Sequence, residues 1–241
     1  MSPSNKSVLF VFLLCLSLSP AAFAQIGGTG WTPLPLQFKV QWPTNAARDD
    51  RYSVHDGVYH FRIFNTDGAF EVGNRTRPRT EQRFLPDYTK GEMQYQSMEK
   101  APADENGYCI FQIHTGNAQS HEYGATAFML FWFSKDGGSV HDYSGRELAA
   151  NLGGKWFQLN VDQDVDNRTI KVWINKQLVW TQKTKDARDF YFKDGVYGQK
   201  ENPSQQMEVD ITDIRIWARS GNTQRMAAGA HGNFPFHGAI N

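Results

Sequence analysis

Apolar and polar side chains alternate with a period of two along much of the chain, the spacing of a strand whose two faces meet different surroundings. Gln37-Phe38-Lys39-Val40-Gln41-Trp42 alternates strictly, and Tyr59-His60-Phe61-Arg62-Ile63-Phe64 nearly so. Met93 and Tyr95 alternate with Gln94 and Gln96, and Cys109, Phe111 and Ile113 with Ile110, Gln112 and His114. The run Ala127 to Phe133 is apolar throughout and predicts a strand buried on both faces. Further strands are expected over 156–162, 170–174, 177–182, 189–199 and 207–217, divided by Asp-Gly, Gly-Gly, Asp-Asn and Asn-Lys turn signals. In the last of these Val209, Ile211, Ile214 and Ile216 are core positions that need a bulge near Thr212. No window of ten or more residues carries a convincing helical stripe.

Short strands with regular turns predict an all-β protein, a β-jelly roll or concanavalin-like sandwich of two antiparallel sheets. Lys6, the apolar run Val8 to Leu18 and the small-x-small pattern Ala22-Phe23-Ala24 mark residues 1–24 as a secretory signal peptide. The protein is therefore expected to be secreted, to the extracellular space or a periplasm. The leader is too short to span a bilayer, and no other long apolar stretch follows, so no membrane partner is expected. Residues 25–219 are expected to form one domain that opens on a Gly/Pro-rich lead-in over 25–35. Residues 220–241 read as a flexible tail.

Removal of Cys15 with the leader leaves Cys109 as a lone, buried thiol, without a disulfide framework. With no heptad or apolar helix for assembly, a monomer is expected. The 25 basic and 25 acidic residues cancel, so no global field recruits nucleic acid or a polyanion. Any anionic partner must be gripped by a local cluster of Arg and Lys.

Three segments supply candidate chemistry. Arg79-Thr80-Glu81-Gln82-Arg83, preceded by Arg75 and Arg77, puts Arg79, Glu81 and Arg83 on one strand face, where the Glu orients guanidinium groups toward a carboxylate. Gln112-Ile113-His114 puts two polar side chains on one face of an otherwise core-like strand, and such groups need a partner or a ligand. In Tyr191-Phe192-Lys193-Asp194-Gly195-Val196-Tyr197-Gly198-Gln199, the residues Tyr191, Lys193, Tyr197 and Gln199 share a face, with a phenol near an ammonium that favours phenolate. No compact metal-ligand spacing is visible, so neither metal nor cofactor is expected.

Arg-Thr-Glu-x-Arg, Gln-Ile-His and Tyr-Phe-Lys-x-Gly-x-Tyr-x-Gln, in that order within residues 75–199, resemble the three signature blocks of the alginate lyases called polysaccharide lyase family 7. The related glucuronan lyases share the jelly-roll architecture. Gln82 stands where that family usually has Leu, and Asp194 where it usually has Ala; the stretch Gly91 to Gln96 is also not typical of alginate lyases. These departures bear on the substrate more than on the reaction.

The resemblance implies cleavage of an anionic polysaccharide, a 4-linked uronic-acid polymer, by β-elimination, with alginate the first candidate and glucuronan the next. It implies that Arg79 or Arg83, with Gln112, neutralises the substrate carboxylate. Tyr197 would serve as general base, general acid or both, and His114 would polarise the carboxylate or act as base. Lys193, Gln199, Glu81, Tyr191 and Gln94 are the expected substrate-binding residues. Free Tyr has a pKa of about 10, so nearby cations matter to the role given to Tyr197.

Two other functions fit a jelly roll. Glu208-Val209-Asp210-Ile211-Thr212-Asp213 faintly resembles the Glu-x-Asp-x-x-Glu strand of retaining β-glucanases, but its last position is Asp and it lies on the final strand. A non-catalytic polysaccharide-binding protein would not need a phenol beside a lysine.

Overall fold

The structure is a computed structural model, described here over residues 26–73, 76–115, 126–184, 189–198 and 203–219. The expected leader and tail, Arg75 and Gln199 lie outside these residues. Apart from two 3-10 turns, Arg48–Asp50 and Lys135–Gly137, the regular structure described is strand. In chain order the strands are β1 (Trp31–Leu34), β2 (Gln37–Gln41), β3 (Tyr52–His55), β4 (Val58–Phe64), β5 (Arg79–Leu85), β6 (Glu92–Lys100), β7 (Tyr108–Thr115) and β8 (Thr126–Phe133). There follow β9 (Ser139–Asp142), β10 (Glu147–Ala149), β11 (Phe157–Asp164), β12 (Thr169–Ile174), β13 (Gln177–Lys183), β14 (Phe190–Gly198) and β15 (Gln206–Arg219).

They form two antiparallel sheets, ordered β13-β12-β11-β6-β15-β4-β3, with β1 also on β15, and β10-β9-β8-β7-β14-β5-β2. The expected sandwich is present. Its inner faces meet over Phe61, Tyr95, Phe111, Trp132, Phe157 and Phe192, all at most 1% exposed. Sealing so much apolar surface between the sheets is the main favourable term for the fold.

Phase errors in the alternation decide which residues reach the outer faces. Cys109 pairs with Phe131, and Phe111 with Leu130, so β7 sets two residues against one of β8. This bulge turns both Ile110 and Phe111 into the core and sends Cys109 to the opposite face, against Met129 and Phe131. Simple alternation had grouped Cys109 with Phe111. A second bulge lies in β14, where Lys193 pairs with Gln112 and Tyr197 with Cys109, four residues advancing against three. Gly195 occupies it at φ 112°, and a Cβ there would sit 2.4 Å from the Thr80 carbonyl oxygen. Only glycine fits.

The expected bulge near Thr212 is also found. The register of β15 shifts between Thr212 and Arg215, and Val209, Ile211, Ile214 and Ile216 are all buried. The lead-in over 25–35 departs from expectation, because Trp31–Leu34 adds a strand to β15. Its two half-buried residues, Trp31 under Arg219 and Leu34 against the core, lie three apart with two exposed residues between them, so the segment carries no period-two alternation to read.

Candidate active site

Cross-strand partners share a face, so the register lays out the outer surface of the seven-stranded sheet in rows. One row runs Arg79, Tyr197, Cys109, Phe131, His141 and Glu147 across β5, β14, β7, β8, β9 and β10. A second runs Lys39, Arg83, Lys193, Gln112 and Met129. A third joins Tyr191, His114 and Thr126. The three sequence segments therefore converge on adjacent strands β5, β14 and β7. Glu81, Lys193 and Gln112 are at most 2% exposed although they lie on an outer face. The floor of the site is recessed.

Glu81 is the hub of that floor. Its carboxylate accepts from the Lys193 ammonium and from the Gln112 amide, and the Arg79 guanidinium lies 3.6 Å away. Glu81 and Lys193 were expected to touch substrate. Both are buried, as Gln112 is, and the three are joined by the hydrogen bonds to Glu81. Burial pushes the Lys193 ammonium down to about 8, against the pull of Glu81. The cation beside Tyr197 is Arg79, whose guanidinium stacks 4.6 Å from the ring centroid. The ammonium expected to act on the phenol is instead committed to Glu81.

Arg83 repeats the arrangement one pair along. It stacks 3.9 Å from the Tyr191 centroid and donates at 2.7 Å to both carboxylate oxygens of Asp87. Four cations, Arg79, Arg83, Lys193 and Lys39, face two carboxylates, Glu81 and Asp87, which leaves an excess of two positive charges. Tyr191 is largely buried, and that burial raises its phenol pKa despite Arg83.

His114 stacks on Tyr191 with centroids 5.0 Å apart. Its Nδ1 lies 2.9 Å from the Thr115 carbonyl, which can only accept, so Nδ1 carries the proton and Nε2 keeps a lone pair. Burial first, then the Lys193 charge, pushes its pKa down to about 4. At neutral pH His114 is a neutral imidazole. Gln112 is held at one amide hydrogen by Glu81 and keeps another to offer.

Gln94 is a correction. It lies on β6, in the other sheet, with its side chain fully buried and its amide donating to the Ile26 carbonyl at 2.9 Å. The alternation assigned it correctly to the face opposite Tyr95, but that face looks away from the site. Glu208 and Asp210 also lie on the outer face of the eight-stranded sheet, beside a cavity of about 380 Å³. Glu208 is paired with Arg62 at 3.2 Å, and Asp210 with His60 at 2.7 Å and Lys100 at 2.9 Å. These carboxylates stand apart from the Arg, Gln, His and Tyr cluster.

Asp87 was missed because no strand pattern links it to Arg83 across the turn. Asp194, noted only as a departure, points inward and accepts from the Tyr95 hydroxyl at 2.6 Å. Among the described residues no group of three or more His, Cys, Asp or Glu is placed to hold a metal ion.

An antiparallel jelly roll with clustered guanidinium, amide, imidazole and phenol on one recessed face has the groups needed to neutralise a carboxylate and move protons beside it. The family model for alginate lyases matches residues 34–217, and the chain belongs to that family. An alginate lyase of Pseudomonas aeruginosa superposes with a TM-score of 0.62 at 16% identity, over 76% of this chain and 98% of that one. An alginate lyase of Corynebacterium sp. gives 0.59 at 15% identity, over 74% and 92%. A citrate-binding protein of Hevea brasiliensis is 29% identical over 97% of each chain.

Proposed function

We propose that the chain is a secreted polysaccharide lyase that cuts a 4-linked uronic-acid polymer, alginate first and glucuronan next, to unsaturated oligouronides. The observation that carries this reading is the convergence of Arg79, Gln112, His114 and Tyr197 on one recessed face. Arg79 and the free amide hydrogen of Gln112 bind the uronate carboxylate and make the C5 proton acidic. His114 Nε2 takes that proton, the C4–O4 bond breaks, and the electron pair forms the C4=C5 double bond. The Tyr197 hydroxyl gives its proton to the departing O4. Proton return from imidazolium to phenolate resets the site.

A second reading is favoured by the Hevea brasiliensis relative, a citrate-binding protein. The two excess positive charges also suit a small polycarboxylate, held without chemistry. One experiment separates the two. Alginate, glucuronan and pectate are each incubated with the protein while the ultraviolet band of the unsaturated uronate is followed, and citrate is titrated by calorimetry. Growth of the band supports the lyase. Citrate binding with no band from any polymer supports the binder and overturns the lyase. Export is tested by the mass of the protein recovered outside cells, expected to begin at Gln25.

A further inference from the structure

The recessed face has two chemically different halves. The β2, β5 and β14 half carries Lys39, Arg79, Arg83 and Lys193. Beyond β7 the surface changes. Cys109, Met129 and Phe131 form an apolar cluster joined by Phe133 and Tyr197. The Phe131 ring lies 6.1 Å from that of Tyr143, and the Phe133 ring stands edge-on to His141 at 4.8 Å. Tyr143 is 75% exposed, a large ring facing solvent at the edge of this cluster.

Charge follows the same division. Among the described residues, the rows beyond β7 place no Lys or Arg on this face. Arg146, the cation of the turn between β9 and β10, stacks instead on Trp180 of the other sheet at 4.7 Å. The first row ends at Glu147, 3.9 Å from His141. A carboxylate arriving here meets an acid and aromatic rings, with no cation to replace its lost water.

Neighbouring strands lie about 4.8 Å apart, close to the length that one pyranose adds to a polymer. A chain crossing the strands therefore sets its reacting uronate over β14 and β7 and the second unit along over β8 and β9. We propose that the β8 and β9 half is a subsite for an uncharged pyranose, whose C–H face stacks on Tyr143 at the edge of the Phe131 cluster. The preferred substrate then carries an uncharged unit two units from the cleaved uronate. That unit is either a neutral sugar or a uronate whose carboxylate is esterified. This rests on the lyase reading above and narrows its substrate.

The test compares three polymers of matched length: polyglucuronate, its partly methyl-esterified form, and a 4-linked glucuronate polymer in which every third unit is a neutral hexose. Initial rates of unsaturated-uronate formation are measured for wild type, Tyr143→Ala and Tyr143→Trp, with melting curves to confirm folding. The wild type is expected to prefer one or both of the polymers with uncharged units, and which one identifies the source of the unit. Tyr143→Ala should lower kcat/KM on that polymer about tenfold, the upper scale of one aromatic contact, and leave polyglucuronate unchanged. Tyr143→Trp should retain the preference. Polyglucuronate cleaved as fast as the others, with a ratio untouched by Tyr143→Ala, overturns the subsite and leaves the lyase reading standing. No unsaturated product from any of the three overturns the subsite, and none from alginate as well overturns the lyase reading.

Discussion

Replacing Glu81 by Gln should destabilise the fold far more than a one-atom change suggests. Glu81 is 2% exposed and its partner Lys193 1%, so neither charge can turn to water when the other is removed. In Glu81→Gln the ammonium of Lys193 stays buried beside a neutral amide and the charge of Arg79. Breaking one side of such a pair costs about 3–5 kcal/mol. For a domain of this size about 1 kcal/mol moves Tm by roughly 2–4 °C, so a drop of roughly 6–20 °C is expected. Asp136→Asn is the control, because the Lys135–Asp136 pair is exposed at 70% and 50% and should contribute almost nothing. The assay is thermal unfolding of wild type, Glu81→Gln, Lys193→Met and the double variant. The double variant should lose less than the sum of the singles, because it leaves no unpaired ammonium. If Glu81→Gln melts within about 2 °C of wild type, a change of under about 1 kcal/mol, the claim that this pair holds the floor is wrong.

Tyr197→Phe keeps the ring under Arg79 and removes only the hydroxyl, so stability should hold while turnover falls about 10²–10⁴-fold. Tyr191→Phe, whose ring mainly supports Arg83 and His114, should be much milder, and equal losses would contradict the assignment. Arg79→Ala should lower the rate about 100-fold or more, and Arg83→Ala less, because Arg83 is already engaged by Asp87; steady-state kinetics showing the reverse order would refute this. Stability should depend on pH through Glu99, which burial, with help from Asp194, pushes up to about 8. The folded state keeps this proton while the unfolded chain releases it near its ordinary pKa of about 4.3, so stability falls as pH rises from there to about 8 and then levels. Glu99→Gln should flatten that slope in denaturant titrations by a few kcal/mol, at about 1.4 kcal/mol for each pKa unit, and an unchanged slope would place the titration elsewhere.

The sandwich and the three segments of the site were legible because period-two alternation reports each side chain's face directly. Arg79, Glu81 and Arg83 share a face as expected, as do Gln112 and His114. Alternation does not say which sheet a strand joins, and so Gln94 was placed beside the substrate although it packs under Ile26. It also loses phase at an unannounced bulge, as at Cys109. The depth of a side chain on a shared face depends on neighbours distant in sequence. Lys193 and Glu81 lie 112 residues apart and neutralise one another out of reach of solvent, which no local pattern signals. The apolar run Ala127 to Phe133 is buried on both sides as expected, with Phe128, Leu130 and Trp132 in the core between the sheets and Met129 and Phe131 buried on the other face in a small cluster with Cys109.

The most direct test of the central claim is the mass of the products formed in water enriched in oxygen-18. Elimination breaks the C4–O4 bond without adding water, so the new non-reducing end should be lighter by one water than a hydrolytic fragment, and cleavage should install no label. Products of that mass from wild type, and none from Tyr197→Phe over the same interval, are the predicted result. Saturated fragments with oxygen-18 at the new reducing end would show that the bond is cut by water, and would contradict the account.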